Sequence, residues 1–252
     1  MKSKKLITPE FRVTVGRYII TSGIEVECFS SRASHMDWCR VELSPEFQGR
    51  LSFEDMDEAK VELGYDGDYD ILITGYARRE KEDYWKEIMI KDDLMKLERV
   101  EIRATFIDCE PQDVVRYVLA RAGIEDYMLS ANFYGKRDRL VIDRRNGVQT
   151  LAEINSAWGI SLPFYFQNKV FYWGTGQGQD EIYVLEENET ILSLGKYGSL
   201  WEAETIAIPW IHHSQQVGIH HSKYEGTVEV QKTIIRSDDT GAVHMYIYFE
   251  GG

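Results

Sequence analysis

Apolar and polar residues alternate along most of the first 97 residues of the chain. In the first such segment, Phe11, Val13 and Val15 are separated by polar residues. A period of two is typical of strands with one buried and one exposed face. About six such segments with turn residues between them predict a small antiparallel barrel or sandwich. The segments are 11–15, 24–28, 39–43, 61–65, 71–76 and 84–90.

The most regular alternation lies in the stretch Val61–Tyr76, with the sequence VELGYDGDYDILITGY. Its centre has an Asp-Gly pair at 66–67, and these residue types adopt the left-handed conformations of a tight hairpin turn. The aspartates at 66, 68 and 70 also have the spacing of the first ligands of a calcium loop. Such a loop needs Gly at its sixth position and Glu at its twelfth, where this chain has Ile71 and Ala77. The stretch is therefore predicted to be a β-hairpin rather than a calcium site.

The middle of the chain has the period of helices. Pro111–Gly123 has Pro in its first turn, an apolar face and Gly at its end, which predicts one helix. A second helix is predicted from Thr150, which has the spacing of a capping box with Glu153. An aromatic β-hairpin is predicted at 162–173. The segment 108–194 is therefore expected to be an α/β insertion.

Strand patterns return near the C-terminus, in about four or five segments, which are few for a closed barrel. The alternating stretch at 98–107 has no evident partner in the insertion, so we expect it to complete this second barrel. The expected fold class is β-rich α+β, with two small tube-like antiparallel β-barrels and an inserted α/β segment carrying two helices. The expected boundaries are 1–97 for the first barrel, 98–107 for the contributed strand, 108–194 for the insertion and 195–252 for the second barrel.

Charge and cysteine content exclude several classes of protein. The chain has 29 basic and 42 acidic residues and a net charge of −13, which argues against electrostatic binding to nucleic acid or anionic membranes. Cys28, Cys39 and Cys109 form no CxxC pair, so neither a zinc ribbon nor a redox motif is expected. The sequence shows no signal peptide and no apolar run of about 20 residues. We therefore expect synthesis as a soluble intracellular protein.

Two local patterns resemble ligand sites. Gly174–Gly178 is rich in glycine, but it leads into an acidic, strand-like segment rather than the helix that a phosphate-binding loop requires. His212, His213, His220 and His221 form two adjacent pairs, and neighbouring residues on a strand point to opposite faces. No Cys and no HExxH motif supplies further zinc or nickel ligands. We assign no catalytic, cofactor-binding or metal-binding residue and expect no enzyme, while a ligand role of the histidines stays open.

Taken together, four stretches resemble the tail-hub family of contractile phage tails and related injection machines. The family includes late control protein D, the T4 baseplate hub and the hub part of type VI secretion spike proteins. The first stretch is the strand pair Val61–Tyr65 and Ile73–Tyr76, and the second is Ile88–Leu94. The inserted helices at Pro111–Ile124 and 148–174 form the third. The fourth is the C-terminal series containing Pro209–Ile211, Val217–Ile219, Gly226–Val228, Asp238–Gly241 and Tyr246–Tyr248.

The resemblance implies a geometric function. Hubs of this family are homotrimers in which each chain gives two tube-like barrels, so the ring matches a hexameric tail tube on one side and a trimeric spike on the other. Tube, spike and possible wedge proteins are the implied partners, and DNA is implied only as cargo in the pore of a phage. The implied place of synthesis is the bacterial cytoplasm, and the implied place of assembly is the tail baseplate of a phage or a phage-tail-like particle such as an R-type bacteriocin. Because the sequence ends at Gly252 without an appended lysozyme-like, peptidase or peptidoglycan-binding domain, wall-degrading activity is not expected.

Two other functions stay open at this point. The 6 Trp, 15 Tyr and 10 Phe residues are compatible with a β-rich carbohydrate- or cell-wall-binding protein, although alternating strand positions favour their packing in a core. A hydrolase that uses scattered acids or the pair His220 and His221 is the second alternative.

Overall fold

The computed structural model describes residues 8–33, 36–47, 49–78, 87–238 and 240–251. It divides into two compact units. Unit 1 comprises Met1–Asp92 and Gly178–Gly252, and unit 2 comprises Asp93–Gln177. No helix among the described residues is long and apolar enough to cross a membrane.

The described chain contains mostly strands. The three α-helices are α1 (Leu94–Arg99), α2 (Pro111–Arg121) and α3 (Gly147–Trp158). The strands are β1 (Pro9–Val15), β2 (Tyr18–Ile20), β3 (Ile24–Ser31), β4 (Trp38–Leu43), β5 (Glu58–Tyr65), β6 (Asp68–Arg78), β7 (Glu87–Lys91), β8 (Glu101–Cys109), β9 (Tyr127–Leu129), β10 (Arg137–Asn146), β11 (Phe164–Gln167), β12 (Val170–Trp173), β13 (Tyr183–Glu186), β14 (Ile191–Tyr197), β15 (Leu200–Ile206), β16 (Gln216–His221), β17 (Tyr224–Ser237) and β18 (Val243–Phe249).

All strands of unit 1 belong to one sheet of 13 strands. The N-terminal strands follow the order β2-β1-β5-β6-β7-β4-β3, and the C-terminal strands follow the order β17-β18-β15-β14. Strand β16 also pairs with β17, and β13 lies parallel to β16. The two groups are joined where β3 pairs antiparallel with β17, from Lys232 opposite Ser31 to Arg236 opposite Glu27. This pairing is called the seam below.

The alternation seen in the sequence places apolar side chains inside unit 1. Val13 and Val15 on β1 are buried, as are Cys39 and Val41 on β4. Val61 and Leu63 belong to the same core as side chains of the C-terminal strands such as Ile219 and Phe249. The β-rich class with large antiparallel sheets is thereby confirmed. Closure of the two strand groups into two tube-like barrels stays a prediction.

The central hairpin forms as predicted from β5 and β6. Tyr65 lies opposite Asp68, which leaves a turn of two residues. Asp66 has φ 52° and Gly67 has φ 87°, the left-handed conformations that match the twist of a hairpin. Of the predicted strand 84–90, the structure describes Glu87 onward, and residues 84–86 lie outside the described residues.

Two glycines allow close packing around this hairpin. A Cβ atom at Gly75 would lie 1.8 Å from the backbone oxygen of Lys91 on the neighbouring strand β7. A Cβ atom at Gly64 would lie 2.5 Å from the ring of Tyr69. Glycine inside a strand often marks such a close approach. Gly75 lets strand β7 lie against the hairpin, and Gly64 leaves room for the Tyr69 ring on the opposite strand of the hairpin.

Unit 2 contains both predicted helices, with one correction. Helix α2 has Pro111 at its start, and Gly123 just beyond its end has φ 68°. Helix α3 begins at Gly147 rather than at Thr150, because Asn146 and Gln149 form the capping box by reciprocal bonds of 2.8 and 3.2 Å. The aromatic hairpin is confirmed as β11 and β12, and β9 lies parallel to β12.

The expected assignment of 98–107 to the second barrel is wrong. Strand β8 pairs with β10 in a two-stranded sheet of unit 2. Six of the ten residues of β10 are charged, so its strand character was not apparent in the sequence. The insertion also runs from Asp93 to Gln177 rather than over 108–194, because β13 and β14 pair with C-terminal strands. Helix α1 was not predicted.

The substitution Gly75→Ala is expected to lower the free energy of unfolding by about 3 kcal/mol or more, because the added methyl group meets the backbone of β7. The matched control is Gly195→Ala on β14, where a Cβ atom meets nothing within 4 Å and an effect within about 1 kcal/mol is expected. Urea unfolding followed by circular dichroism measures both. Equal effects of the two substitutions would contradict the close approach at Gly75.

Candidate functional site

The central hairpin is anchored to the C-terminal strand group through Tyr65. Its hydroxyl donates a hydrogen bond of 2.5 Å to the backbone oxygen of Ala207, which follows β15. Only 5% of the Tyr65 surface is exposed, and burial raises the pKa of its hydroxyl to about 12. Tyr65 therefore keeps its proton and acts as a hydrogen-bond donor between parts of the chain 142 residues apart.

A polar network covers the other side of the hairpin. Glu62 accepts two hydrogen bonds from the Arg12 guanidinium, at 2.7 and 2.8 Å, and one of 2.8 Å from Lys60. The hydrogen bonds from Arg12 lower the pKa of Glu62 against the opposing effect of burial. The guanidinium lies 4.0 Å from the ring centre of Tyr69, whose hydroxyl donates to Glu10 at 2.8 Å. This network holds β1, β5 and β6 together and leaves Glu62 paired with cations.

The hairpin turn contains the aspartates of the calcium-like pattern. Asp66 lies in the turn itself, while Asp68 and Asp70 lie on β6. The pKa of Tyr183 is raised first by burial and then by the charges of Glu181 and Asp70. Among the described residues, no three His, Cys, Asp or Glu side chains are grouped so that they could hold a metal ion.

The four histidines occupy different environments and do not meet at one site. His213 is only 2% exposed, with Nδ1 2.9 Å from the Ser214 hydroxyl and Nε2 3.8 Å from an Asp37 carboxylate oxygen. Burial lowers the pKa of His213 to about 3 and that of His212 to about 4. At the end of β16, the half-exposed His220 faces Glu186 at 4.0 Å and His221 faces Glu187 at 3.4 Å.

One surface of unit 1 crosses the seam. One row of side chains runs over six strands, on the side of the sheet opposite the buried positions. We call this surface the outer face of the shared sheet. The row consists of Glu204, Tyr246, Ile234, Phe29, Trp38 and Lys91.

Side chains of the outer face form salt bridges, hydrogen bonds and ring contacts with one another. Arg40 binds Glu27 at 2.8 Å, and the Lys232 ammonium lies 3.6 Å from the ring centre of Tyr248. Phe29 stacks on Trp38 across β3 and β4, with ring centres 5.2 Å apart. Arg236 donates to the Tyr246 hydroxyl at 3.1 Å. Charged and aromatic side chains of the outer face therefore contact one another across the seam and along the neighbouring strands.

Proteins with the same fold are found among phage tail proteins. The 43 kDa tail protein of prophage MuSo2 from Shewanella oneidensis matches with a TM-score of 0.72 and 11% identity, covering 96% of this chain and 98% of that one. The tail protein of Neisseria meningitidis MC58 matches with a TM-score of 0.68 and 11% identity, covering 96% of each chain.

A third similar structure comes from a secretion system. The E. coli c3393 protein, described as a component of the type VI secretion system, matches with a TM-score of 0.67 and 10% identity, covering 95% of this chain and 76% of that one. No protein-family model and no curated protein matches the sequence. The chain therefore has the fold of phage tail proteins and of this secretion component, as the resemblance in its sequence implied.

The sequence predicted the central hairpin but not the tertiary contacts that hold it in place. In the sequence, Gly64, Tyr65 and Gly75 belong to the strand pair that carries the family resemblance, and the alternation there does not indicate their contacts. Glycine next to tyrosine inside a strand is the feature that could have indicated the close packing. No pattern within the strands could have indicated that Tyr65 binds the backbone of Ala207.

Burial of His213 predicts a contribution to stability that acid removes. The folded pKa of His213, about 3, lies below the unfolded value of about 6.5. The His213 side chain therefore binds more protons in the unfolded state between these values, so its contribution to stability is full above pH 6.5 and falls as the pH decreases. The substitution His213→Gln should reduce the slope of unfolding free energy against pH, measured by urea denaturation from pH 4 to 7, by up to about 1.4 kcal/mol per pH unit.

His220→Gln is the control for this measurement, because the side chain of His220 is 54% exposed. It should leave the slope unchanged. A His213→Gln variant with the wild-type slope would show that His213 is not buried in its neutral form.

Proposed function

We propose that this chain is a structural hub protein in the baseplate of a contractile tail or injection machine. In this proposal three copies form a pseudo-sixfold ring that joins the hexameric tail tube to the trimeric spike. The observation that carries the proposal is the similarity of fold to two phage tail proteins and a type VI secretion component over at least 95% of the chain. The same similarity favours a structural rather than an enzymatic role and assembly into a tail.

The construction of unit 1 supports the ring geometry. An N-terminal group of seven strands and a C-terminal group of six meet at the seam. We propose that each group forms one tube-like barrel, so that three chains supply six. Rings of this kind close through contacts between unlike surfaces of neighbouring chains.

The acidic composition also has a place in this proposal. If the particle is a phage, negative charge along the pore would repel the DNA that passes through it.

The carbohydrate-binding alternative has less support. Sugar platforms need exposed aromatic rings, and several of the large rings here are fully buried, among them Phe164, Phe171, Trp173 and Phe249. Packing of these rings in the protein interior therefore accounts for much of the aromatic content.

Coexpression of the full chain with the tube and spike proteins encoded by neighbouring reading frames tests the proposal. Native mass spectrometry should show three copies of the 29.3 kDa chain bound to three spike chains, and binding of the tube protein to that complex. The chain incubated with an unrelated trimeric protein serves as control. A strictly monomeric chain that binds neither protein but binds cell-wall glycans would contradict the hub function and favour the alternative.

A further inference from the structure

The two units differ sharply in charge. Unit 2 has 11 acidic and 11 basic residues, so it is neutral, whereas unit 1 has 31 acidic and 18 basic residues and holds the entire net charge of −13. Copies of the chain repel one another wherever two acidic units face each other. Electrostatic attraction between copies is favoured where a basic surface of one copy meets unit 1 of the next.

The basic residues of unit 2 are concentrated at one strand. Five of them lie within ten residues, at Lys136 and along β10. Three are paired within the unit: Lys136 lies 3.2 Å from Asp108, Arg145 lies 3.4 Å from Glu153, and Arg137 donates to the backbone oxygen of Ala157.

Arg139 and Arg144 differ from these three. Both are exposed, and in the part of the chain that the structure describes neither makes a salt bridge or a side-chain hydrogen bond. These two guanidinium groups are therefore available to carboxylates of another molecule. An Arg fork binds a carboxylate through two parallel hydrogen bonds, which adds specificity to the attraction.

Arg139 lies on a two-stranded ribbon with an uncovered apolar side. On the inner side of β8 and β10, Ile102 and Ile142 are only 1% exposed. On the outer side, Ile107 is 76% exposed and Val141 is 47% exposed. Arg139 pairs directly with Ile107 in the register, and Val141 pairs with Thr105. We call the surface formed by Thr105, Ile107, Arg139 and Val141 the ribbon face.

We infer that the ribbon face is the surface by which one copy of this chain binds the acidic unit 1 of the next copy. The inference rests on the proposed function, because it assumes a ring of copies. An unpaired Arg beside exposed apolar side chains is typical of the centre of a protein interface, and its charge is complementary to unit 1. Since the ribbon face and unit 1 are unlike surfaces, the contact is head-to-tail and can close a ring.

Sedimentation velocity of the full chain tests the inference with two variants. Arg139→Glu and Ile107→Asp should each raise the dissociation constant for self-association at least about tenfold, as expected for residues at an interface centre. Self-association of the wild type should also weaken as salt increases, and that dependence should be smaller in Arg139→Glu. Circular dichroism checks that the variants, which change exposed side chains, remain folded.

Matched controls lie in the same unit. Lys169→Glu changes the charge as Arg139→Glu does, and Phe133→Asp places an acid at a site that is 75% exposed, as Ile107 is. Both controls should associate like the wild type. If Arg139→Glu and Ile107→Asp also associate like the wild type, the inference is overturned while the hub function stands. A wild-type chain that stays monomeric at about 100 μM, roughly a hundred times the dissociation constant of a micromolar complex, would overturn the inference and count against the homotrimer.

A mixing experiment distinguishes head-to-tail binding from pairing of two ribbon faces. A trace of fluorescent Arg139→Glu chain still offers an intact unit 1, so it should sediment with an excess of wild-type chains. A tracer that stays monomeric while the wild type associates would show that ribbon faces bind each other, which would overturn unit 1 as the partner surface.

Discussion

The antiparallel pairing of β3 with β17 is the constraint on which the rest of unit 1 depends. Five residue pairs join strands about 200 residues apart in the sequence. The Ser237 hydroxyl accepts a hydrogen bond of 2.8 Å from the backbone of Val26 at one end, and Arg32 forms a salt bridge with Glu229 at the other. Through this seam the strands before and after the insertion form one sheet. Unit 2 can therefore interrupt the chain between Asp92 and Gly178 without dividing the core of unit 1.

Local chemistry made the central hairpin and helix α2 predictable from the sequence, whereas distant pairing was not. The Asp-Gly turn and the Pro and Gly at the helix ends act within a few residues. Strand β8 lacked a visible partner because the inner side of β10 carries only Leu140 and Ile142 as large apolar residues, in a strand with four arginines and two aspartates. The start of α3 was misplaced because Thr150 and Glu153 imitate the spacing of the true capping pair, Asn146 and Gln149.

Two residues of the stretch that carries the sequence resemblance act in packing. Gly75 lets β7 approach the hairpin, and Tyr65 ties the hairpin to the C-terminal strands through Ala207. The histidines that suggested a metal site lie apart, with His213 buried and His220 at the surface. A sheet built from two strand groups, an acidic unit and a neutral unit with the exposed ribbon face support the proposed role in assembly.

Electron cryo-microscopy of the chain bound to its tail-tube protein tests the central claim most directly. The account predicts a ring of three chains in which each contributes two similar lobes, joined within the chain by paired β3 and β17, so that six lobes match six tube subunits. A ring of six chains contributing one lobe each, or a complex in which the N-terminal and C-terminal strand groups of one chain lie apart, would contradict it.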